Sequence, residues 1–299
     1  MTTASWSTVL DHSSDAGFRA WGSELNAKFA AVGMVQTADT GQINWTTVTR
    51  PIANTIAGYE IWKLSGGALY FKFEYGTGGA TTAPAVKLTV GTGSNGSGAL
   101  TGQTSTASLA GMTTTSVTST VTNYQSYLCA TADFLGLAWK LGSSGTTNKS
   151  RMFLAVMRTV DSTGAATNVG YFLLLQGTSG TPTAQCVATA AGVTGAQNIS
   201  AANHFFVPNN VAANPPSSTD GSGNNQAFLW WFSILGTSPV APLLHAAMIL
   251  LADLVVGNTA SMTLVGTTAH TYINATISSF NDPPGILSAA NLACLMLWE

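Results

Sequence analysis

The chain has 299 residues, 45% hydrophobic and 7% charged, with a net charge of −2, and a chain of this size and apolar content can bury a substantial core. Because its ten basic residues are spread singly along the sequence, they offer no surface that could neutralise phosphates, and no nucleic-acid partner is expected. Soluble domains usually carry about 25% charged residues, so we expect other copies of the chain or other subunits to cover much of this neutral exterior.

The first predicted element is an amphipathic helix over residues 14–32. Its apolar side chains recur at steps of three and four, which is typical of a helix buried along one face. They are Phe18, Trp21, Leu25, Phe29 and Val32. A residue of the run 13–15 can cap the helix, and Gly33 can adopt the left-handed conformation that ends it. Two interpretations stay open: the apolar stripe packs on the chain's own sheet, or its first three members form an interface by inserting into a neighbouring subunit.

From Met34 onward the pattern changes to alternating or short continuous apolar runs, separated by Gly, Pro, Asn and Ser, which predict β-strands. The predicted strands are residues 43–45, 59–64, 69–75, 86–90, 134–141, 151–160, 170–176, 185–190, 227–235, 243–254, 262–265, 270–277 and 292–298. In the third of these, Phe71, Phe73 and Tyr75 should share one face of the sheet. Turn residues at 65–67 and the polar run after Val160 predict hairpins.

These elements predict a mainly β protein, with a β-sandwich or jelly-roll-like architecture and one N-terminal amphipathic helix. We divide the chain into an N-terminal segment, residues 1–33, and a β-rich domain, residues 34–299. A subdivision is conceivable near the Gly/Ser/Thr tract of residues 91–123. The glycine-rich part of this tract is predicted to be a loop, whereas Thr118, Thr120 and Val121 could form a polar edge strand.

Cysteine and histidine usage favours neither a disulfide framework nor a metal site. The three cysteines, Cys129, Cys186 and Cys294, lack paired spacing, so we expect reduced core residues in a protein made in a cytoplasm. The histidines lack metal-ligand spacing, and neither a metal nor a cofactor is expected. The start of the chain shows no secretory signal. The apolar run 241–256 is shorter than the about 20 residues that span a bilayer, so no membrane insertion is expected.

Motifs for catalysis are weak, and we expect no enzyme. Five aspartates fall mostly in predicted turns, where Asp usually bonds its own backbone: Asp133, Asp161, Asp220, Asp253 and Asp282. The glutamates form no recognisable pair for glycoside hydrolysis: Glu24, Glu60, Glu74 and Glu299. Gly91, Gly93 and Gly96 have the spacing of a dinucleotide-binding loop, but no helix follows them. The eight tryptophans are interpreted as core residues, as intersubunit contacts or as a sugar-binding platform.

Several short stretches carry a resemblance to known proteins. They are residues 21–22 (WG), 58–62 (GYEIW), 71–76 (FKFEYG), 90–96 (VGTGSNG) and 158–164 (RTVDSTG). Over about residues 10–180 the chain resembles a family of tailed-bacteriophage virion structural proteins, which are tail- or baseplate-associated. The resemblance implies a non-enzymatic subunit of the virion, made and assembled in the host cytoplasm. Its implied partners are other copies of itself and other virion proteins, and no catalytic residue carries over.

Three alternatives to a tail or baseplate subunit remain. A capsid decoration protein would use the same neutral surface. A host-receptor or glycan-binding tail protein would use the loops at residues 76–85, 143–150 and 207–226, the last of which contains five asparagines: Asn209, Asn210, Asn214, Asn224 and Asn225. A polysaccharide-degrading enzyme would require two carboxyl groups about 5–10 Å apart.

Overall fold

A computed structural model of the chain describes residues 2–67, 69–78, 84–104, 106–110, 121–141, 151–160, 166–176, 183–187, 204–207, 231–234, 241–242, 246–250, 257–262, 270–275 and 292–298. Within these ranges the protein is mainly β, with several antiparallel sheets and a single helix. The predicted fold class is therefore confirmed, and the arrangement is consistent with a β-sandwich-like fold.

The helix α1 spans Asp15–Ala31. The strands, numbered β1 to β20 in chain order, are Thr2–Asp11, Val35–Gln36, Thr55–Lys63, Tyr70–Thr77, Pro84–Gly91, Gly93–Ser94, Leu100–Thr101, Ala107–Ala110, Val121–Ala130, Phe134–Leu141, Arg151–Val160, Ala166–Gln176, Thr183–Val187, His204–Val207, Trp231–Ile234, Ala241–Pro242, Ala246–Leu250, Thr259–Met262, His270–Asn274 and Leu292–Leu297.

Three larger sheets organise these strands. The first sheet has the order β1-β9-β10-β11-β12-β13, with β16 paired to β11 as well. The second sheet has the order β2-β3-β4-β5-β8, and the third has the order β17-β20-β19-β18. Two short hairpins, β6-β7 and β14-β15, complete the described strands. The predicted hairpins are confirmed, because β3 pairs antiparallel with β4 and β11 pairs antiparallel with β12.

A single hydrophobic cluster joins α1, the first sheet and the second sheet. The alternation predicted for β4 is confirmed: Phe71, Phe73 and Tyr75 are buried in this cluster, whereas Lys72 and Glu74 are half-buried on the opposite face. Side chains that alternate in this way anchor the register of a strand, because a slip of one residue would expose every aromatic ring.

The first sheet is covered on both faces at β10, where every residue from Phe134 to Trp139 is buried. Leu135 and Leu137 face the cluster that contains α1. Gly136 faces the third sheet so closely that an added Cβ would lie 2.2 Å from the sulfur of Met296. The described sheets therefore form layers, with the first sheet between the second and the third.

The helix packs on the chain's own sheets. Ser14 caps it by accepting a hydrogen bond from the Gly17 amide at 3.1 Å, and Gly33 follows with a φ of 84°. The side chains of Phe18, Trp21 and Leu25 are 0%, 5% and 1% exposed. These three side chains therefore pack in the chain's own core, as the first of the two interpretations expects, whereas their contact with a neighbouring subunit stays a prediction.

The N-terminal segment contributes a strand that the sequence analysis did not predict. Strand β1 pairs with β9 along its whole length, so the segment and the β-rich domain share one sheet. The same sheet corrects the suggestion of a polar edge strand at Val121, because β9 begins there and lies between β1 and β10. Thr118 and Thr120 lie outside the described residues.

The predicted strand 43–45 is wrong, since these residues form a turn region. The Asn44 side chain accepts a hydrogen bond from the Thr46 amide at 2.9 Å. Such an Asn-centred turn competes with strand pairing by satisfying the backbone locally.

Candidate functional site

The most concentrated polar site in the described residues is a buried carboxylate. Glu60 lies in β3 with 0% exposure and accepts four hydrogen bonds from side chains. One oxygen accepts from the Asn26 amide at 2.7 Å and the Trp45 indole at 2.8 Å. The other accepts from the Trp62 indole at 3.2 Å and the Tyr75 hydroxyl at 2.9 Å. We call these five residues the Glu60 cluster.

Each element contributes to the Glu60 cluster for a local reason. Glu60 and Trp62 are two residues apart in β3, so both face the core. Tyr75 follows Phe71 and Phe73 on the inward face of the adjacent strand. Burial raises the pKa of the Tyr75 hydroxyl well above its usual value, and the nearby Glu60 carboxylate raises it further, so the hydroxyl stays protonated and donates.

The hydrogen bonds of the Glu60 cluster have a structural role. All four partners are donors, which suits an ionised carboxylate, a group that only accepts. Two donors on each oxygen use its lone pairs, so a substrate would first have to displace a protein group. The Trp45 ring closes the site from the helix side, where an added Cβ on Gly22 would meet this ring at 2.2 Å. The cluster thereby fastens the helix and the residue 44–47 turn to the second sheet.

A second buried carboxylate, Asp39, holds the β6-β7 hairpin. It accepts hydrogen bonds from the Ser94 hydroxyl and from the Gly98 amide, the latter at 3.1 Å. Burial raises the pKa of Asp39, but these hydrogen bonds and others outweigh that effect and leave its pKa below the usual value. Residues 91–101 therefore form a folded hairpin, which we call the glycine hairpin. Its glycines at positions 96 and 98 adopt the positive φ angles that its turn requires.

A buried histidine lies where β1 leads into α1. His12 is 1% exposed, and its Nε2 lies 3.2 Å from the Thr77 hydroxyl. Its ring meets the Phe18 ring edge to face, with 5.3 Å between centroids, and its Nδ1 has no hydrogen-bond partner among the described residues. Burial first, and the charge of Arg50 second, lower the pKa of His12 from 6.5 to about 4. The imidazole is therefore neutral at physiological pH.

Asp133 lies in the turn between β9 and β10, as predicted. Its carboxylate pairs with Arg158 at 2.7 Å, and its carbonyl accepts from the Arg158 amide at 2.8 Å. These contacts make Asp133 a structural turn residue. The remaining aspartates assigned to turns, Asp161, Asp220, Asp253 and Asp282, lie outside the described residues.

The predicted receptor residues cannot be compared with the fold. Asn209, Asn210, Asn214, Asn224 and Asn225 all lie outside the described residues, as do residues 79–83 and 143–150 of the other two loops. The tryptophans can be compared in part, since five of them are buried and thus are core residues rather than a sugar platform: Trp6, Trp21, Trp45, Trp62 and Trp139.

The sequence analysis missed the roles of Glu60, Asp39 and His12. For Glu60 a signal existed, because strand alternation places it on the same face as Trp62. For Asp39 and His12 no signal existed, because the sequence around them shows no periodic pattern. Their partners, Ser94 for Asp39 and Thr77 for His12, come close only in the folded chain.

Within the described ranges, no group of three or more His, Cys, Asp or Glu side chains could hold a metal ion. No helix in that part of the chain has the length and apolar character to cross a membrane. Comparisons with protein families, with curated proteins and with solved structures find no match for this chain. The resemblance to phage virion proteins thus remains a prediction from the sequence.

Proposed function

We propose that this chain is a non-enzymatic structural subunit of a bacteriophage virion, located in the tail or its distal baseplate or fibre apparatus. It acts by assembling in multiple copies and by contacting other virion proteins. The proposal is supported by the sequence resemblance and by a composition with 7% charged residues. Repeated protein–protein contacts favour such a composition, because each unpaired charge buried at an interface costs several kcal/mol.

The observation that carries the proposal is that two acidic side chains are buried inside the chain rather than exposed on its surface. Of twelve acidic residues, Glu60 and Asp39 are buried and hydrogen-bonded within the chain. The exterior of the described part is therefore even poorer in acidic groups than the composition implies. Such a surface has little charge repulsion to keep copies apart, which supports a role in assembly.

The arrangement of Glu60 also argues against the alternative of a glycoside hydrolase. A catalytic carboxylate has to reach the scissile bond and exchange a proton with it. Glu60 instead has both oxygens occupied by protein donors. This favours a structural role for the Glu60 cluster.

The composition of purified particles tests the proposal. We expect mass spectrometry to find this chain in multiple copies per virion, and we expect deletion of its gene to give defective particles that are restored when the wild-type chain is supplied separately. Gold-labelled antibodies should mark the tail. Particles that lack the chain, or normal infectious particles after deletion, would contradict the subunit role, whereas label over the capsid would contradict only the tail location.

A further inference from the structure

Strand β1 and α1 are joined by a short corner with a buried histidine in it. Strand β1 ends at Asp11 and α1 begins at Asp15, and we call residues 11–19 the β1–α1 corner. The corner is tightly packed, because a Cβ added to Gly17 would collide with the backbone of Asp11. His12 is buried, so its ring is held inside the protein where the two elements meet.

Hydrogen bonds determine which ring nitrogen of His12 carries the hydrogen. The Thr77 hydroxyl, which is the group that β4 places against the ring, donates its hydrogen to the Pro51 carbonyl at 2.6 Å. The same hydroxyl lies 3.2 Å from Nε2 of His12, so it can only accept there. A neutral imidazole has a single N–H, and that N–H is therefore on Nε2. Nδ1 is left as a buried acceptor without a hydrogen-bond partner among the described residues.

The side chains that α1 places against the ring are aromatic. Phe18 and Trp21 meet the imidazole edge to face, at centroid distances of 5.3 and 6.3 Å. Neither ring supplies an oxygen that could accept a hydrogen bond from a proton on Nδ1. A protonated His12 inside the closed corner would therefore carry a buried N–H without a partner among the described residues, which is strongly unfavourable.

Two charges from the described residues act on the ring, and they oppose each other. The Asp11 carboxylate, next to His12 in the chain, favours the protonated ring, whereas the guanidinium of Arg50, in the loop before β3, disfavours it more strongly. On the α1 side, Asp15 accepts a hydrogen bond from the Arg50 amide at 2.8 Å and pairs with Arg19. The net effect of the two charges adds to burial in keeping the ring neutral.

We propose that the β1–α1 corner is a pH-sensitive switch, in which protonation of His12 releases the corner from β4 and from residues 47–51. A proton on Nδ1 needs an acceptor, and water can supply one only after the ring has left the Thr77 hydroxyl. Opening also exposes the rings of Phe18 and Trp21, which are buried in the closed corner. Acid thereby uncovers apolar surface at a defined place in the fold.

The corner can open while the sheets stay folded. Strand β1 keeps its pairing with β9 along its length, since His12 lies beyond the last paired residue. Opening breaks the Nε2 contact with Thr77 and the hydrogen bond from Arg19 to the Val48 carbonyl at 2.6 Å. These contacts are few compared with the pairing of the strands, so opening costs less free energy than unfolding the first sheet.

The two protonation states give the size of the effect. Burial and the charge of Arg50 lower the pKa of His12 from 6.5 to about 4 in the closed corner, whereas a solvated ring in the open corner has its ordinary pKa. The open corner therefore binds more protons, and a falling pH favours it. Between about pH 7.5 and about pH 5 the ratio of open to closed corner should rise about 30-fold. This switch belongs to the fold of the single chain and does not require the proposed assembly role.

Amide hydrogen exchange in the full chain, corrected for its intrinsic pH dependence, measures this ratio. The reporters are the amide of Phe18, which is hydrogen-bonded within the corner, and that of Arg50, whose hydrogen bond crosses the opening. We expect their protection to fall about 30-fold from about pH 7.5 to about pH 5 in the wild type, and to be insensitive to low urea concentrations, as for a local opening. His12→Gln should lose this pH dependence, and the control His270→Gln, which removes a histidine of β19, should keep it.

PH-dependent protection of the reporters that disappears only in the His12 variant supports the inference. Protection that is the same at both pH values, or a His12 variant that keeps the pH dependence, overturns it. Reporters that exchange only as slowly as the Leu137 amide of β10 also overturn it, because the opening would then be unfolding of the whole protein. If His12→Gln does not fold, nitrogen NMR of the wild-type imidazole decides. The switch requires a neutral ring with its hydrogen on Nε2 at about pH 5 in the folded protein, and a proton on Nδ1 there overturns it.

Discussion

Glu60 shows how a single ionised side chain can organise a charge-poor interior. Its carboxylate accepts hydrogen bonds from α1, from the turn that follows β2, and from β3 and β4. A buried charge without partners would be strongly destabilising, whereas a saturated one fixes the positions of its donors. Position 60 therefore requires a side chain that can accept all four hydrogen bonds, which is a stricter requirement than that of an ordinary inward-facing strand residue.

We expect Glu60→Gln to lower the free energy of unfolding by about 1–3 kcal/mol. The new amide nitrogen keeps the size of the side chain but turns a donor toward protein donors, which leaves polar groups unpaired. Urea unfolding followed by tryptophan fluorescence measures the change. Glu74→Gln is the control, because this half-buried glutamate on the outer face pairs with Lys72 and should cost less than about 1 kcal/mol. Equal stabilities for the two variants would contradict the role assigned to Glu60.

His12 gives the protein a defined loss of stability in acid. Its pKa is lowered from 6.5 to about 4 by burial first and by Arg50 second, so the unfolded chain takes up a proton at a pH where the folded chain does not. Its contribution to stability is complete above pH 6.5 and is lost as the pH falls from 6.5 to about 4. The loss over this window amounts to about 3 kcal/mol.

Urea unfolding of the wild type and of His12→Gln across this pH window isolates the contribution. Glutamine cannot titrate, so the stability of the variant should fall less steeply than that of the wild type as the pH drops. Parallel curves for the two proteins would show that His12 is not buried as a neutral ring.

At the scale of elements, the glycine hairpin illustrates how a low-complexity run becomes ordered. Its turn is held by Asp39 and by the Asn95 side chain, which accepts from the Ser97 and Ala99 amides at 2.9 and 3.1 Å. It also packs against β3, where an added Cβ on Gly98 would lie 2.3 Å from the Tyr59 hydroxyl.

We expect Gly98→Ala to destabilise the protein by about 2 kcal/mol or more, because its φ of 93° disfavours a side chain and the space is filled. Gly96→Ala is the matched control. Its φ of 81° brings the same backbone strain, but no atom lies within 4 Å of the added Cβ, so it should cost about 1 kcal/mol. Thermal unfolding of both variants measures the difference, and a Gly98 variant no less stable than the Gly96 variant would contradict the packing of the hairpin on β3.

The elements also show which parts of the fold the sequence could predict. Strands β4, β5, β10 and β11 were predictable because large apolar side chains recur in them at the period of a strand. Strand β1 was not, because its Thr and Ser side chains are equally common in loops and its partner β9 lies far along the chain. The Glu60 cluster was predictable only as an inward-facing carboxylate, since Asn26 and Trp45 reach it through tertiary packing.

At the scale of the whole molecule, the described sheets form layers whose interior is mainly apolar, and the buried carboxylates of Glu60 and Asp39 are stabilised by hydrogen bonds. The outward face of α1 exposes several small side chains together with Asp15, and Val35 of β2 is 45% exposed. A protein with this surface has little electrostatic reason to remain a single copy in solution. The proposed assembly role follows from this combination rather than from any one residue.

The mass of the purified wild-type chain, measured by sedimentation velocity over about a thousandfold range of protein concentration, tests this account most directly. We expect the mass to rise with concentration above that of one 30.7 kDa chain, and we expect added salt not to reverse the rise, because few charges take part. A folded chain that keeps the mass of one copy over the whole range would contradict the claim that its neutral surface is built to contact other protein.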